Sequence, residues 1–269
     1  MTEENLVLYK RVDNVAVITL NRPEKRNALS HAALHQLDAA FAKADADDEV
    51  RTIVLEGEGK SFCAGADLSG DGERMTGVKM LENFENHHAR FFRFWDSKKV
   101  TICAVQGHAL GRGLEIALCA DIIIAEEDAK IGQPEVREGF VIWSVVPWIV
   151  NPQKAKLFMI SGDMIDGHEA EKMGLVAKVV PSGTAREAAL KTAKRLAHIP
   201  ALASASIKKM INGTYESMGF RAQQEAGTHV TALVSSFTPE EKGIAELVRI
   251  RKEEGLKASL RYRDAPFEE

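Results

Sequence analysis

Four short apolar runs, separated by helical stretches, set the terms on which the first half of this chain can fold. They are VAVITL (Val15–Leu20), RTIVLEG (Arg51–Gly57), TICAVQG (Thr101–Gly107) and DIIIAEE (Asp121–Glu127). Each is rich in β-branched residues, and none alternates apolar with polar. Strands of that kind need cover on both faces, as in parallel sheets. The segments between them read as helices. Ser30 is placed to N-cap one helix, with Leu34, Leu37 and Phe41 along a single face. A second is expected over Gly77–Asp96. Strand and helix in alternation predict an α/β fold.

The last third differs. From about Ala185 onward no strand is expected. TPEEKGIAELVRIRKEEG reads as a marked helix: Thr238 as N-cap, Pro239 at the first helical position, Glu241 closing a capping box and Gly255 as the stop. Residues 1–200 are therefore read as an α/β core and 201–269 as a helical region packed on something. Ile244, Leu247, Val248 and Arg251 fall at the spacing of a contact face.

Composition narrows the function classes. The chain has 269 residues and a net charge of −4, which gives no basic surface for nucleic acid. No apolar run reaches the roughly 20 residues of a membrane span. MTEENLVLYK lacks the basic-then-apolar layout of a secretion signal. Cys63, Cys103 and Cys119 form no CxxC pair, and a reducing cytoplasm suits them.

The chemistry begins at GHALGRGLEIALCAD, Gly107–Asp121. From Gly113 to Ala120, Glu115 is the single polar side chain. A helix without a polar face is buried, so Glu115 is expected to face the interior or a cavity. There a lone carboxylate is costly unless it is paired, protonated or used. The alternative is a structural ion pair. A second carboxylate, Glu135, follows Gly132 and Pro134 in IGQPEVREG, a loop or strand-to-helix turn. One expected strand separates the two, so they can converge. Converging carboxylates suit general acid–base work, one accepting a proton while the other gives one. A third piece, SFCAGADLSG (Ser61–Gly70), places small residues after the strand Arg51–Gly57, where a ligand can approach the backbone.

Together these pieces resemble the crotonase superfamily, the enoyl-CoA hydratases and isomerases. NRPEKRNALS is similar to its NRP…NAL signature and FCAGADL to its AGAD[LI] loop. GHALGRGLEIALCAD is similar to its G-x-A-x-G-G-G-x-E-L-A-x-x-C-D segment, and IGQPEVREG to F-G-x-P-E. The order and spacing agree from about residue 6 to 255. The resemblance implies a crotonase-like spiral of ββα units, with a helical C-terminal region that makes trimer contacts in a homotrimer or a dimer of trimers.

It also implies roles. The N–H groups of Ala66 and Arg112 match an oxyanion hole for the thioester oxygen. Glu115 and Glu135 match the two glutamates that position water. Ala64, Gly65, Ala66, Asp67, Leu68 and Gly111 match the surroundings of coenzyme A, with Lys25 and Arg26 as neighbours of its phosphates. Coenzyme A is then part of the substrate; no separate cofactor and no metal is implied. The expected activity is addition of water across the 2,3 double bond of an enoyl-CoA. The alternatives are an isomerase working through Glu135 alone, or a CoA-thioester-binding protein without turnover.

Two departures from the family pattern stand out. Arg112 replaces a usual glycine. If that position demands a positive φ, the arginine is strained; its side chain can also pair with Glu115 or with a CoA phosphate. Further on, GFVIWSVVPWIV (Gly139–Val150) lacks the family's paired glycines, so Phe140, Trp143 and Trp148 are expected to reshape the acyl pocket.

Other motifs are weaker. GRGLEI has Ile116 where a dinucleotide fingerprint needs its third glycine or alanine, and no HExxH surrounds His31 and His35. His87 and His88 read as surface residues. No GxSxG elbow occurs.

Overall fold

The structure, a computed structural model, describes residues 5–68, 77–237 and 242–268. Thr238, Pro239 and Glu241 lie outside them, and so does the expected capping box.

The four apolar runs become the four inner strands of one sheet. The strands are β1 (Val7–Val12), β2 (Val15–Leu20), β3 (Thr52–Gly57), β4 (Val100–Val105), β5 (His108–Leu110), β6 (Ile122–Glu126), β7 (Lys130–Gly132) and β8 (Lys178–Val180). The six-stranded sheet runs β1-β2-β3-β4-β6-β8, while β5 and β7 pair apart from it. Among the described strands, the β1–β2 hairpin pairs antiparallel and the other strand pairs are parallel.

Side chains alternate across the sheet with the two-residue period of a strand. Val15, Val17, Val54, Ile102, Ala104 and Ile124 face α7 (Ala185–Leu196), whose Ala185, Ala189 and Ala193 are fully buried. Three alanines on one face let that helix lie close to the sheet. Ala16, Ile18, Leu20, Ile53, Leu55 and Cys103 face the larger core, which takes in Leu34, Leu37 and Phe41 of α1 (His31–Ala46). Both faces are covered, which is why the strands carry no polar side. Ser30 caps α1 as expected, its side chain accepting from the Ala33 N–H.

The expected second helix is α2 (Val78–Asp96). Short helices follow: α3 (Arg112–Leu118), α4 (Val146–Ile149), α5 (Pro152–Ser161) and α6 (Gly167–Met173). After α7 come α8 (Ala201–Ser217), α9 (Phe220–Phe237), α10 (Lys242–Glu254) and α11 (Leu256–Asp264), with no strand among the described residues there.

These last helices are tied to the core through polar groups. Lys208 of α8 is buried and donates to the carbonyls of Phe94 and Lys99 and to Asp121 Oδ2, the last at 2.8 Å. The face of α10 read as an intersubunit contact is used in part within the chain, while Val248 on it stays exposed. Leu247 is buried, and Arg251 binds Glu138. An exposed apolar stripe lies on α8, at Ile207, Met210 and Ile211, with Met218 just past its end.

Candidate active site

The site grows from the small parallel pair. Strand β5 leads into α3, which carries Glu115; β7 leads into the 3-10 turn Pro134–Glu138, which carries Glu135. The two strands are in register from His108↔Lys130 to Leu110↔Gly132, and the Gly111 N–H continues the pairing by donating to the Gly132 carbonyl at 3.0 Å. Parallel strands of equal length therefore deliver both carboxylates to the same end.

Gly111 makes the junction possible. Its φ is +49°, and a Cβ there would overlap the Glu135 carboxylate. Positive φ and lack of side-chain space both demand glycine. Arg112 begins α3 with ordinary helical backbone and is not among the positive-φ residues, so the strain expected at Arg112 falls on Gly111 instead.

Glu115 is 1% exposed. Its Oε1 accepts from the Gln133 amide, and burial pushes its proton affinity well above the ordinary value, with the Glu135 charge adding to the rise. Gln133 also donates to Ser144 Oγ at 3.3 Å. Glu135 is pushed up to about 7, chiefly by burial. In each carboxyl group Oε2 is buried without a hydrogen-bond partner. Burial keeps both carboxyls protonated to higher pH than free glutamates, Glu135 up to about 7, so the pair can hold a proton and hand one over.

The Cys63–Leu68 strip lies against this junction. The Cys63 N–H donates to the His108 carbonyl, and the Leu110 N–H donates to the Cys63 carbonyl. Gly65 has a φ of +100°, and a Cβ there would stand 2.9 Å from the Leu110 carbonyl and 3.7 Å from the Arg112 nitrogen. The strip thus passes beside the Arg112 nitrogen at Gly65, the residue before Ala66. Among the described residues neither the Ala66 nor the Arg112 N–H donates to a backbone acceptor, and the first N–H groups of a helix have none within it. Two residues missed in the sequence hold the strip. Arg22 pairs with Asp67 at 2.9 Å, and buried Asn27 binds the carbonyls of Glu58 and Ser61. They belong to the NRP…NAL stretch, which was the available signal. Lys25 and Arg26 are exposed beside it, and the Arg26 carbonyl accepts from the Ala64 N–H.

The Arg112 side chain forms no ion pair with Glu115. Its nearest influential charge is Glu135, and burial lowers it to about 10. It also faces His87, which is buried rather than superficial: 2% exposed, with both ring nitrogens unpartnered and its proton affinity lowered by burial first and by the Arg112 charge second. His88 is half-buried against Phe92 and Trp143. His31 and His35 are exposed on α1.

A cavity of about 200 Å³ opens beside Glu135, lined by Gln133, Val136, Phe140, Val141, Ile142, Met159 and Ile160. Phe140 is in its wall; Trp143 and Trp148 are not. Trp143 packs on His88 and Phe92, and Trp148 packs edge-on to Phe220 while donating to Gln223. The two bulky residues read as pocket walls are core filling between α2, α4 and α9.

Comparison with known proteins agrees with this geometry. The family model described as Enoyl-CoA hydratase/isomerase matches residues 10–254. A Rhizobium meliloti protein named "Probable enoyl-CoA hydratase" is 37% identical over 229 residues, covering 80% of this chain and 84% of that protein. The Escherichia coli 2,3-dehydroadipyl-CoA hydratase is 30% identical, covering 91% and 96%. The crystal structure of an enoyl-CoA hydratase/isomerase from Xanthobacter autotrophicus Py2 superposes with a TM-score of 0.91 at 31% identity, covering 98% of this chain and 99% of that one. The fold is that of the crotonase-type spiral, and with two carboxyls gathered at the end of one short strand pair, the chain belongs to the enoyl-CoA hydratase/isomerase family of enzymes.

Proposed function

We propose that the protein adds water across the 2,3 double bond of an enoyl-CoA thioester. The observation that carries this reading is the pair of buried carboxyls, Glu115 and Glu135, close enough for the Glu135 charge to raise the proton affinity of Glu115. An isomerase needs one proton shuttle; hydration needs one group to take a proton from water and another to give one to carbon. Water attacks Cβ and loses its proton to one carboxylate. The enolate that forms places its oxygen between the Ala66 and Arg112 N–H groups, and Cα takes a proton from the other carboxyl. Both carboxyls end with the proton exchanged and the product neutral.

Coenzyme A enters as part of the substrate. The strip from Ala64 to Leu68 with Lys25 and Arg26 at its edge is the proposed docking place for its nucleotide end. Gly65 allows the close approach of the strip to Leu110. The small cavity at Phe140 suits a short acyl end, since it is below the roughly 300–1,000 Å³ of a site for a drug-sized ligand. The α8 stripe is the proposed contact of a trimer or a dimer of trimers, with residues 1–200 as the core and 201–269 as the associating region. Three buried, unpaired cysteines suit a cytoplasmic setting. No helix among the described residues is long and apolar enough to cross a membrane.

A panel of trans-2 and trans-3 enoyl-CoA thioesters of several lengths tests the reading. Hydration removes the absorbance of the conjugated thioester. Its appearance from trans-3 substrates instead would show an isomerase, and binding without any change a non-catalytic protein.

A further inference from the structure

Three residues after Glu135, in the same 3-10 turn, stands a carboxylate outside the reaction scheme above. Glu138 is 4% exposed, and each of its oxygens is held by a different C-terminal helix. Oε2 accepts from Arg251 of α10 at 2.8 Å, and Oε1 accepts from Arg263 of α11 at 2.9 Å. Neither arginine is itself loose. Arg251 Nε donates to Ser259 Oγ at 3.2 Å, and Ser259 is fully buried. Arg263 makes a two-pronged contact with Asp264, at 2.9 and 2.8 Å.

The next residue along completes the frame. Arg137 Nη1 donates to Asp264 Oδ1 at 3.2 Å, Nη2 to Asp163 Oδ1 at 2.5 Å, and Nε to the Ser161 carbonyl at 2.9 Å. Its guanidinium lies 3.9 Å from the centre of the Phe267 ring. So the turn bearing Glu135 is tied at Arg137 to the end of α5 and at Glu138 to α10 and α11. A 3-10 turn is poorly stabilised by its own hydrogen bonds. Fixing a side chain to a fraction of an ångström needs such outside support.

We propose that Glu138, gripped by Arg251 and Arg263, is the positioning residue that keeps the Glu135 carboxylate seated over Gly111, so that α10 and α11 belong to the working site of this subunit. The proposal rests on the hydration reading above. The charges facing Glu135 are Glu115 and Arg112 on α3, Glu138 on its own turn and Arg263 on α11. Glu138 raises its proton affinity, while Arg263 and Arg112 lower it.

The test compares Glu138→Gln with Arg263→Gln in the full-length protein. Both are expected to lower kcat by about 10-fold or more, on the scale of a misplacement of under 1 Å, with KM changed by no more than about 3-fold. The limb of the rate–pH profile that reports Glu135 moves down in pH for Glu138→Gln and up for Arg263→Gln. The limb shifts report the charges alone; a merely structural link lowers the melting temperature and leaves kcat of the folded protein unmoved, and that result overturns the proposal. If Glu138→Gln does not fold, Arg251→Lys and Arg263→Lys keep the charges but remove the fork. Native kcat in both overturns it equally. If the wild type turns over no thioester, the hydration reading has failed by itself. The placement is then read from the carboxyl ¹³C titration of Glu135, assigned with Glu135→Gln, whose midpoint must also shift in the charge-keeping Arg251→Lys and Arg263→Lys variants; an unmoved midpoint in both overturns the proposal.

Discussion

Glu135 rests its carboxylate on the bare Cα of Gly111, in the space a Cβ would fill, and Gly111 holds a φ of +49° to allow it. Gly111→Ala meets both obstacles at once. It is expected to cost about 1–3 kcal/mol of stability through backbone strain. Activity is expected to fall by about 10²-fold or more, because the carboxylate is displaced from the proton path. Melting curves and turnover of the one variant check this; an active Gly111→Ala enzyme shows that the seat is not needed.

Glu135→Gln keeps the shape and removes the proton exchange. Its turnover is expected to drop by at least about 10²-fold. Near-native turnover on the best thioester of the panel counts against the mechanism.

The same variant carries a stability signature. Folded Glu135 holds its proton up to about pH 7, against an ordinary value of 4.5. Between those values the folded state binds more protons than the unfolded chain, so stability falls as pH rises through the window and levels off above it. Glu135→Gln is free of that penalty. It is expected to gain on the wild type at pH 8, by up to about 3 kcal/mol, and to match it below about pH 4. A difference in unfolding free energy that does not vary with pH overturns the assignment.

Arg112→Gly separates the backbone of that residue from its side chain. Glu115 does not depend on the guanidinium, since Gln133 and the Ser144 hydroxyl support its carboxylate. The loss of stability is therefore limited to the helix cost of glycine, about 1 kcal/mol, rather than the roughly 3–5 kcal/mol of a broken buried ion pair. Arg112 lowers the proton affinity of Glu135, so the corresponding limb of the rate–pH profile is expected to move to higher pH. A large drop in melting temperature, or an unmoved limb, contradicts this.

Assembly is expected to run through α8. Light scattering at micromolar concentration should show a trimer or a dimer of trimers, and Met210→Glu, in the middle of the exposed stripe, should shift it toward monomer by placing a charge in the buried contact. A monomeric wild type refutes the assembly.

The sequence by itself determined the elements whose signal is local. The strands β2, β3, β4 and β6 were legible because burial on both faces leaves a run with no polar position. Helix α1 was legible because Ser30 and the Leu34–Leu37–Phe41 face are read within one segment. Glu115 announced itself because α3 has no polar side to hide it on. The edge strand β1 was missed because it is half-exposed and mixed, and β5, β7 and β8 because three residues are too few to show a period.

Only the tertiary structure decided which groups meet. The pairing of β5 with β7 is a contact between segments, and it alone brings Glu135 to Gly111 and Gln133 to Glu115. The residue that bears the positive φ is Gly111 and not Arg112, because the chain turns before the helix starts. Trp143 went inside against His88 and Phe92 of α2, Trp148 is half-buried against Phe220 of α9, and His87 is buried between His31 of α1 and Arg112 of α3. Arg251 turned from an expected partner's surface to Glu138 because α11 folds back and leaves a buried carboxylate that needs two cations. A sequence lists the charges and the sizes; which of them end within hydrogen-bond reach is set by long-range packing, and the chemistry of this site depends on that reach.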